Sequence, residues 1–102
     1  MTLIVLFNLK DETSPIKYET WAQTVDVPTV KRLTSVSDFK VFKTSGVLGS
    51  ESPAPYQYVE ILEVNDLEQL GKDISTDTMK SIAAQFQDFA DNPTFMMAGQ
   101  IA

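Results

Sequence analysis

Asp26 stands two residues before a proline, in the run Trp21-Ala22-Gln23-Thr24-Val25-Asp26-Val27-Pro28, where an apolar helical stripe meets a residue that breaks helices. Two readings of it stay open. Its carboxylate can cap the helix that restarts at Pro28, or it can point into an apolar pocket, where partial burial raises its pKa and makes it a usable base. A second pair lies in Tyr56-Gln57-Tyr58-Val59-Glu60, where strand alternation puts Tyr58 and Glu60 on one face. A carboxylate on an apolar sheet face needs a partner or water. Lys43, in the preceding strand, can supply a cross-strand ion pair with Glu60; otherwise Tyr58, Glu60, Lys43 and Asn8 form a polar cluster lining a mostly apolar pocket. The candidate catalytic residues are therefore Asp26, Tyr58 and Glu60. Asn8, Tyr18, Trp21 and Lys43 are the candidate ligand-binding residues, with Tyr18 and Trp21 as apolar wall.

The composition leaves few other agents. The chain has neither histidine nor cysteine, so thiolate nucleophiles, disulfides, histidine general bases and the usual nitrogen or sulfur ligands of zinc and haem are excluded. Neither a phosphate-binding glycine loop nor a nucleophile elbow is present. Acid–base work falls to Asp, Glu, Lys or Tyr, and no metal or cofactor is expected. Eight basic against fourteen acidic residues give a net charge of −6, spread along the chain, which argues against nucleic acid as a partner. No apolar run approaches the ~20 residues needed to span a bilayer. Met1 to Leu9 lack the basic start and cleavage site of a signal peptide and read as a strand; with no cysteine, a cytoplasmic setting is natural.

The elements that must position these residues follow from periodicity. Thr2 to Leu9 is a nearly continuous apolar strand, of the kind covered on both faces. Ser14 and Pro15 read as an N-cap and first helical residue, and Tyr18, Trp21, Ala22 and Val25 form one stripe before Pro28 breaks or restarts the helix. Val36 to Thr44 alternates as a strand. Ser45 to Pro55, with two glycines and two prolines, is a loop and a candidate lid. Tyr56 to Val64 is the clearest strand. A short helix capped by Asn65 runs to Leu70 and ends at Gly71. A second, from about Thr76 to Ala90, carries Met79, Ile82, Ala83, Phe86 and Phe89, stops at Asn92-Pro93, and gives way to a strand over Thr94 to Ile101.

Strand, helix, strand, strand, helix, strand is the ferredoxin-like βαββαβ order: one α+β domain over residues 1–102, a four-stranded antiparallel sheet with helices on one face. The helix-free face is apolar and needs cover. Two copies laid face to face supply it, giving a homodimer whose joined sheets enclose a pocket. Folding hides only about 60 to 70% of the surface of a chain this long, which favours a sizeable pocket between copies over one inside a single copy.

Several blocks also carry a resemblance. Leu3-Ile4-Val5-Leu6-Phe7-Asn8-Leu9-Lys10, the stretch from Trp21-Ala22 through Asp26-Val27-Pro28-Thr29-Val30-Lys31-Arg32-Leu33, Val36-Ser37-Asp38-Phe39, and Pro55-Tyr56-Gln57-Tyr58-Val59-Glu60-Ile61 resemble the RedY-like (HapK) family of prodigiosin-type pigment pathways, over nearly the whole chain. The resemblance implies a dimeric α+β barrel and a part in making a red tripyrrole or a related aromatic secondary metabolite. More distantly, the helix-break block is similar to the EthD-like barrels, which place His-x-Pro where this chain has Asp26-Val27-Pro28. The expected ligand is thus a small apolar aromatic or pyrrole-type molecule. Three functions are open: a cofactor-free cyclisation, dehydration or tautomerisation using Asp26; non-catalytic carriage or scaffolding; and cofactor-independent oxygenation.

Overall fold

A computed structural model describes all 102 residues. Thr2–Leu9 form β1, Val36–Lys43 β2, Tyr58–Val64 β3 and Ala90–Ala98 β4, ordered β2-β3-β1-β4 with every neighbour antiparallel. The helical layer consists of α1 (Pro15–Trp21), a π-helical turn (Ala22–Asp26), α2 (Val27–Val30), α3 (Leu67–Asp73) and α4 (Asp77–Phe89). The ferredoxin-like α+β architecture is as the periodicity requires.

Register fixes what faces the helices. Val5 pairs with Glu60 and Phe7 with Tyr58 across β1 and β3, while Val41 pairs with Glu60 and Lys43 with Tyr58 across β2 and β3. Directly opposed residues share a face. Val5, Phe7 and Leu9 with Tyr58, Glu60 and Val64 therefore turn toward the helices, and all six are buried. At one end the core is aromatic and tightly filled: the Phe7 ring lies 5.4 Å from Tyr18, 5.5 Å from Tyr58 and 5.0 Å from Phe86. Each such pair adds roughly 0.5–1.5 kcal/mol beyond the area it buries.

Several boundaries differ from the sequence reading. Asp66, not Asn65, caps α3 by accepting from the Gln69 N–H at 3.0 Å, because the Asn65 amide is engaged with the Thr34 carbonyl. The helix continues through Gly71 to Asp73, whose carboxylate accepts from the Ser35 hydroxyl at 2.7 Å and backbone N–H at 3.2 Å, tying α3 to the start of β2. The second long helix ends at Phe89, and β4 begins at once, with Asn92 and Pro93 inside it. Proline is tolerated there because β4 is an edge strand, and Asn92, at φ 47°, takes up the register shift opposite Leu6 and Asn8. Tyr56 and Gln57 precede β3 rather than belong to it. The loop between β2 and β3 joins the sheet end that carries Lys43, Tyr58 and Leu9, where Asn8 pins it: its amide donates to the Pro55 carbonyl at 3.2 Å and accepts from the Gln57 N–H at 2.9 Å.

Candidate active site

The helix on either side of Asp26 is unusual. Pro28 has no N–H to offer the Thr24 carbonyl, and the chain meets this with a wide turn in which the Val27 N–H bonds the Ala22 carbonyl. The Thr24 hydroxyl donates to the Thr20 carbonyl at 2.7 Å on the solvent side. Helix continues across the break, with Asp26 at φ −64° and ψ −62°, and its carboxylate caps nothing. The capping alternative is thereby removed. Asp26 shares the inward side with Tyr18 and Ala22 and is 5% exposed.

It opens into a cavity of about 330 Å³ between the sheet and the helices. The sheet contributes Leu3, Val5, Phe39, Glu60, Leu62 and Phe95; the helical side contributes Asp26 and Val30 together with aliphatic and aromatic residues of α3 and α4. The cavity therefore lies within one copy, on the helix-covered face, and not between two joined sheets. Size did not forbid it, because the aromatic cluster props the layers apart at one end. At the other end α3 and α4 present Leu70, Ile74, Met79 and Ile82, which leave the gap unfilled.

Asp26 and Glu60 are the two carboxyls in this space. Burial raises Asp26 from 3.8 to about 7. Burial also raises Glu60, with the Asp26 charge adding to the effect, to about 8; the Tyr18 hydroxyl, donating to Glu60 Oε1 at 3.4 Å, opposes this. Tyr18 is wholly buried and its own ionisation is pushed far up by burial and by Glu60, so it remains a donor. Two carboxyls poised near neutrality, one from the helix and one from the strand, can exchange protons with a bound molecule.

The other sequence-predicted residues sit elsewhere. Tyr58 is buried beside Tyr18, but its hydroxyl donates to Glu19 Oε2 at 2.6 Å rather than into the cavity. Lys43 does not pair with Glu60; its ammonium lies 2.9 Å from Glu19 Oε2, because register sets Lys43 beside Tyr58 and gives Glu60 the valines Val5 and Val41 as neighbours. Glu19, which this latch holds below the usual carboxylate range, was not singled out by the sequence, although its spacing one residue after Tyr18 places it at the helix–sheet seam. Asn8 lies on the sheet's helix-free side and holds the loop. Trp21 packs against Phe89 at 5.3 Å and donates to Gln85 Oε1 at 2.7 Å, facing away from the cavity. No residue of the loop after β2 lines the cavity, so it is not a lid to this space. Apart from Asp26 and Glu60, the cavity's polar members are Lys80 and Gln87, both from the exposed side of α4. No group of three or more carboxylates comes together that could hold a metal ion.

The family model described as REDY-like protein HapK matches residues 1–101. The chain belongs to that family. The crystal structure of HapK from Hahella chejuensis is 28% identical, with a TM-score of 0.72 over 100% of this chain and 99% of that one. An ethyl tert-butyl ether degradation (EthD) family protein from Bacillus halodurans is 20% identical, with a TM-score of 0.74 over 98% and 97% of the two chains. SnoaB from Streptomyces nogalater, a cofactor-independent oxygenase, is 14% identical, with a TM-score of 0.71 over 97% and 92%. Proteins described as dimeric and ferredoxin-like also match, at TM-scores of 0.64 and 0.68. No curated protein matches. The HapK family thus carries the fold, and no helix of the chain is long and apolar enough to cross a membrane.

Proposed function

We propose that the cavity binds a small, flat, apolar aromatic or pyrrole-type intermediate of secondary metabolism, in a prodigiosin-like pathway, and that Asp26 and Glu60 move a proton on it without a cofactor. Cyclisation, dehydration and tautomerisation all reduce to such a step: one carboxylate removes a proton while the other carboxylic acid delivers one. The observation that carries this is the burial of both groups in one mostly apolar cavity, which holds them near neutral pKa, where a general acid or base is most effective. Tyr18 orients Glu60. Tyr58 acts at one remove, by fixing α1 through Glu19, and Lys43 joins it there. Trp21 and Asn8 support the helix and the loop respectively.

The protein acts as a homodimer. Ile4, Leu6, Val59 and Ile61 lie on the sheet face away from the helices together with Phe42, which is 50% exposed, and the natural cover for such a face is its own copy. The two ferredoxin-like neighbours described as dimeric favour the same arrangement.

The test replaces Asp26 by Asn and Glu60 by Gln and follows pathway product in the producing host alongside the melting temperature. Product is expected to fall by at least about 100-fold in either variant, the usual share of a general acid or base. Unchanged product at unchanged stability would remove the carboxyls from the mechanism and leave a carrier.

A further inference from the structure

The polar groups of the cavity are one-sided. Asp26 comes from the helical wall and Glu60 from the sheet floor, while Lys80 and Gln87 reach the space only from the exposed side of α4. Asp26 is nine-tenths or more buried with no capping bond, and for Glu60 the Tyr18 hydroxyl at 3.4 Å is the hydrogen-bond donor. Neither carboxyl has an ion pair, and Lys80 meets the cavity only at the exposed side of α4. Lys43 is held by Glu19, and the neighbours of Glu60 in the sheet are valines. A hydrocarbon ring would fill the volume and leave the Asp26 carboxyl without a partner and Glu60 with the Tyr18 hydroxyl alone, at the cost of unsatisfied polar atoms on both walls. An anion would be repelled by whichever carboxyl is ionised. A flat ring with N–H groups at opposite edges and a delocalised positive charge satisfies both walls at once.

We propose that the cavity selects a flat nitrogen heterocycle that binds as a cation, directing one N–H to Asp26 and another to Glu60. This rests on reading the cavity as the ligand site and adds the ligand's charge to it. The cation keeps its own proton. A carboxyl that was neutral in the empty cavity ionises against it and gives its proton to the solvent, so binding near neutral pH is accompanied by proton release. Tyr18 behind Glu60 stays protonated and does not compete, and Lys80, although it lines the cavity, forms no ion pair with either carboxyl.

The probes are 4-aminoquinoline, a cation near neutral pH with donors at both ends of the ring system, and 4-methylquinoline, of the same shape but neutral. Each is titrated calorimetrically into the full chain at about pH 7 in two buffers of different ionisation enthalpy, which counts protons. The amino compound is expected to bind at least about tenfold more tightly, as befits hydrogen bonds to charged groups, and to release protons on binding. Asp26→Asn and Glu60→Gln should each reduce that preference, in protein whose circular dichroism shows it folded. The measurement on the unaltered chain decides the matter even if a variant fails to fold. Equal or tighter binding of 4-methylquinoline, or the absence of proton release, overturns the inference; if the neutral probe then perturbs amide resonances of Leu62 and Phe86, the cavity remains a ligand site and only the charge is wrong. Failure of both probes to bind overturns both readings.

Discussion

Replacing Asp26 by Asn should make the protein more stable at alkaline pH while impairing it, because the carboxyl is held where its ionised form is poorly solvated. The folded-state pKa of about 7 lies above the ordinary 3.8, so between those values the folded chain keeps a proton that the unfolded chain has lost. Stability therefore falls as pH rises through this window: the group's favourable contribution is intact below about pH 4 and gone above about pH 7. At about 1.4 kcal/mol for each pH unit, the gap between 3.8 and about 7 corresponds to about 4 kcal/mol. Water entering the cavity raises the effective dielectric and reduces the working figure to about 2 kcal/mol. Asn has the shape of the protonated acid and nothing to ionise, so it escapes the loss.

The assay is thermal unfolding followed by circular dichroism from about pH 4.5 to about pH 8.5. In a domain near this size 1 kcal/mol moves the midpoint by roughly 4–8 °C, so the Asn variant should melt about 8 °C or more above the parent at the alkaline end and within a few degrees of it at the acid end. A difference between the two proteins that is the same at both ends would refute the reasoning, since it would show that Asp26 titrates alike in the folded and unfolded chains.

Three further outcomes are expected. Tyr18→Phe removes the donor that holds Glu60 down, so the alkaline limb of any pH–activity profile should move to higher pH, with a loss of about 1 kcal/mol in denaturant unfolding; an unmoved limb would detach Tyr18 from Glu60. Ile61→Asp, in the middle of the helix-free sheet face, should convert a dimer into a folded species of 11.4 kDa by light scattering, and a parent already at that mass would count against the dimer. Lys43→Ala opens a half-exposed ion pair with Glu19 and should cost no more than about 1 kcal/mol, with ligand affinity unchanged because the pair lies outside the cavity.

The elements and their order were legible in the chain because each carries its own period and punctuation. Thr2–Leu9 reads as a strand from its apolar run, and Ser14-Pro15 announces a helix whose cap is the Ser14 hydroxyl, as the structure has it. The misread boundaries are those where a tertiary contact outweighed a local signal. Gly71 does not end α3, because Asp73 beyond it is anchored to Ser35, and Pro93 does not forbid strand, because β4 happens to be at the edge. Neither partner is visible within a window of a dozen residues. The pairing of Lys43 failed for a similar reason: alternation says which residues share a face, but only the register says which of them meet.

Of the site residues singled out in the sequence, the candidate cavity holds only Asp26 and Glu60. Asp26 was found because it stands where the apolar stripe meets Val27-Pro28 in a chain with no histidine or cysteine, and Glu60 because it is a carboxyl on an apolar strand face, a misfit that survives only if the fold has a use for it or a partner to satisfy it. Asn8, Lys43 and Trp21 looked equally suitable by type, yet each finds its partner away from the cavity, in Pro55 and Gln57, Glu19, and Gln85. Asp26 does not. The proline two residues on removes a backbone donor, the helix widens to accommodate it, and the wide turn carries the carboxyl to the inner side without giving it a cap. A straight helix through Val25 and Val27 could have buried a leucine there at no electrostatic cost. The chain instead keeps an acid whose ionisation burial resists, opposite a second acid on the sheet floor, and the energetic penalty of holding the two together in a mostly apolar cavity is the strongest physical reason for the proposal that this pair carries the chemistry.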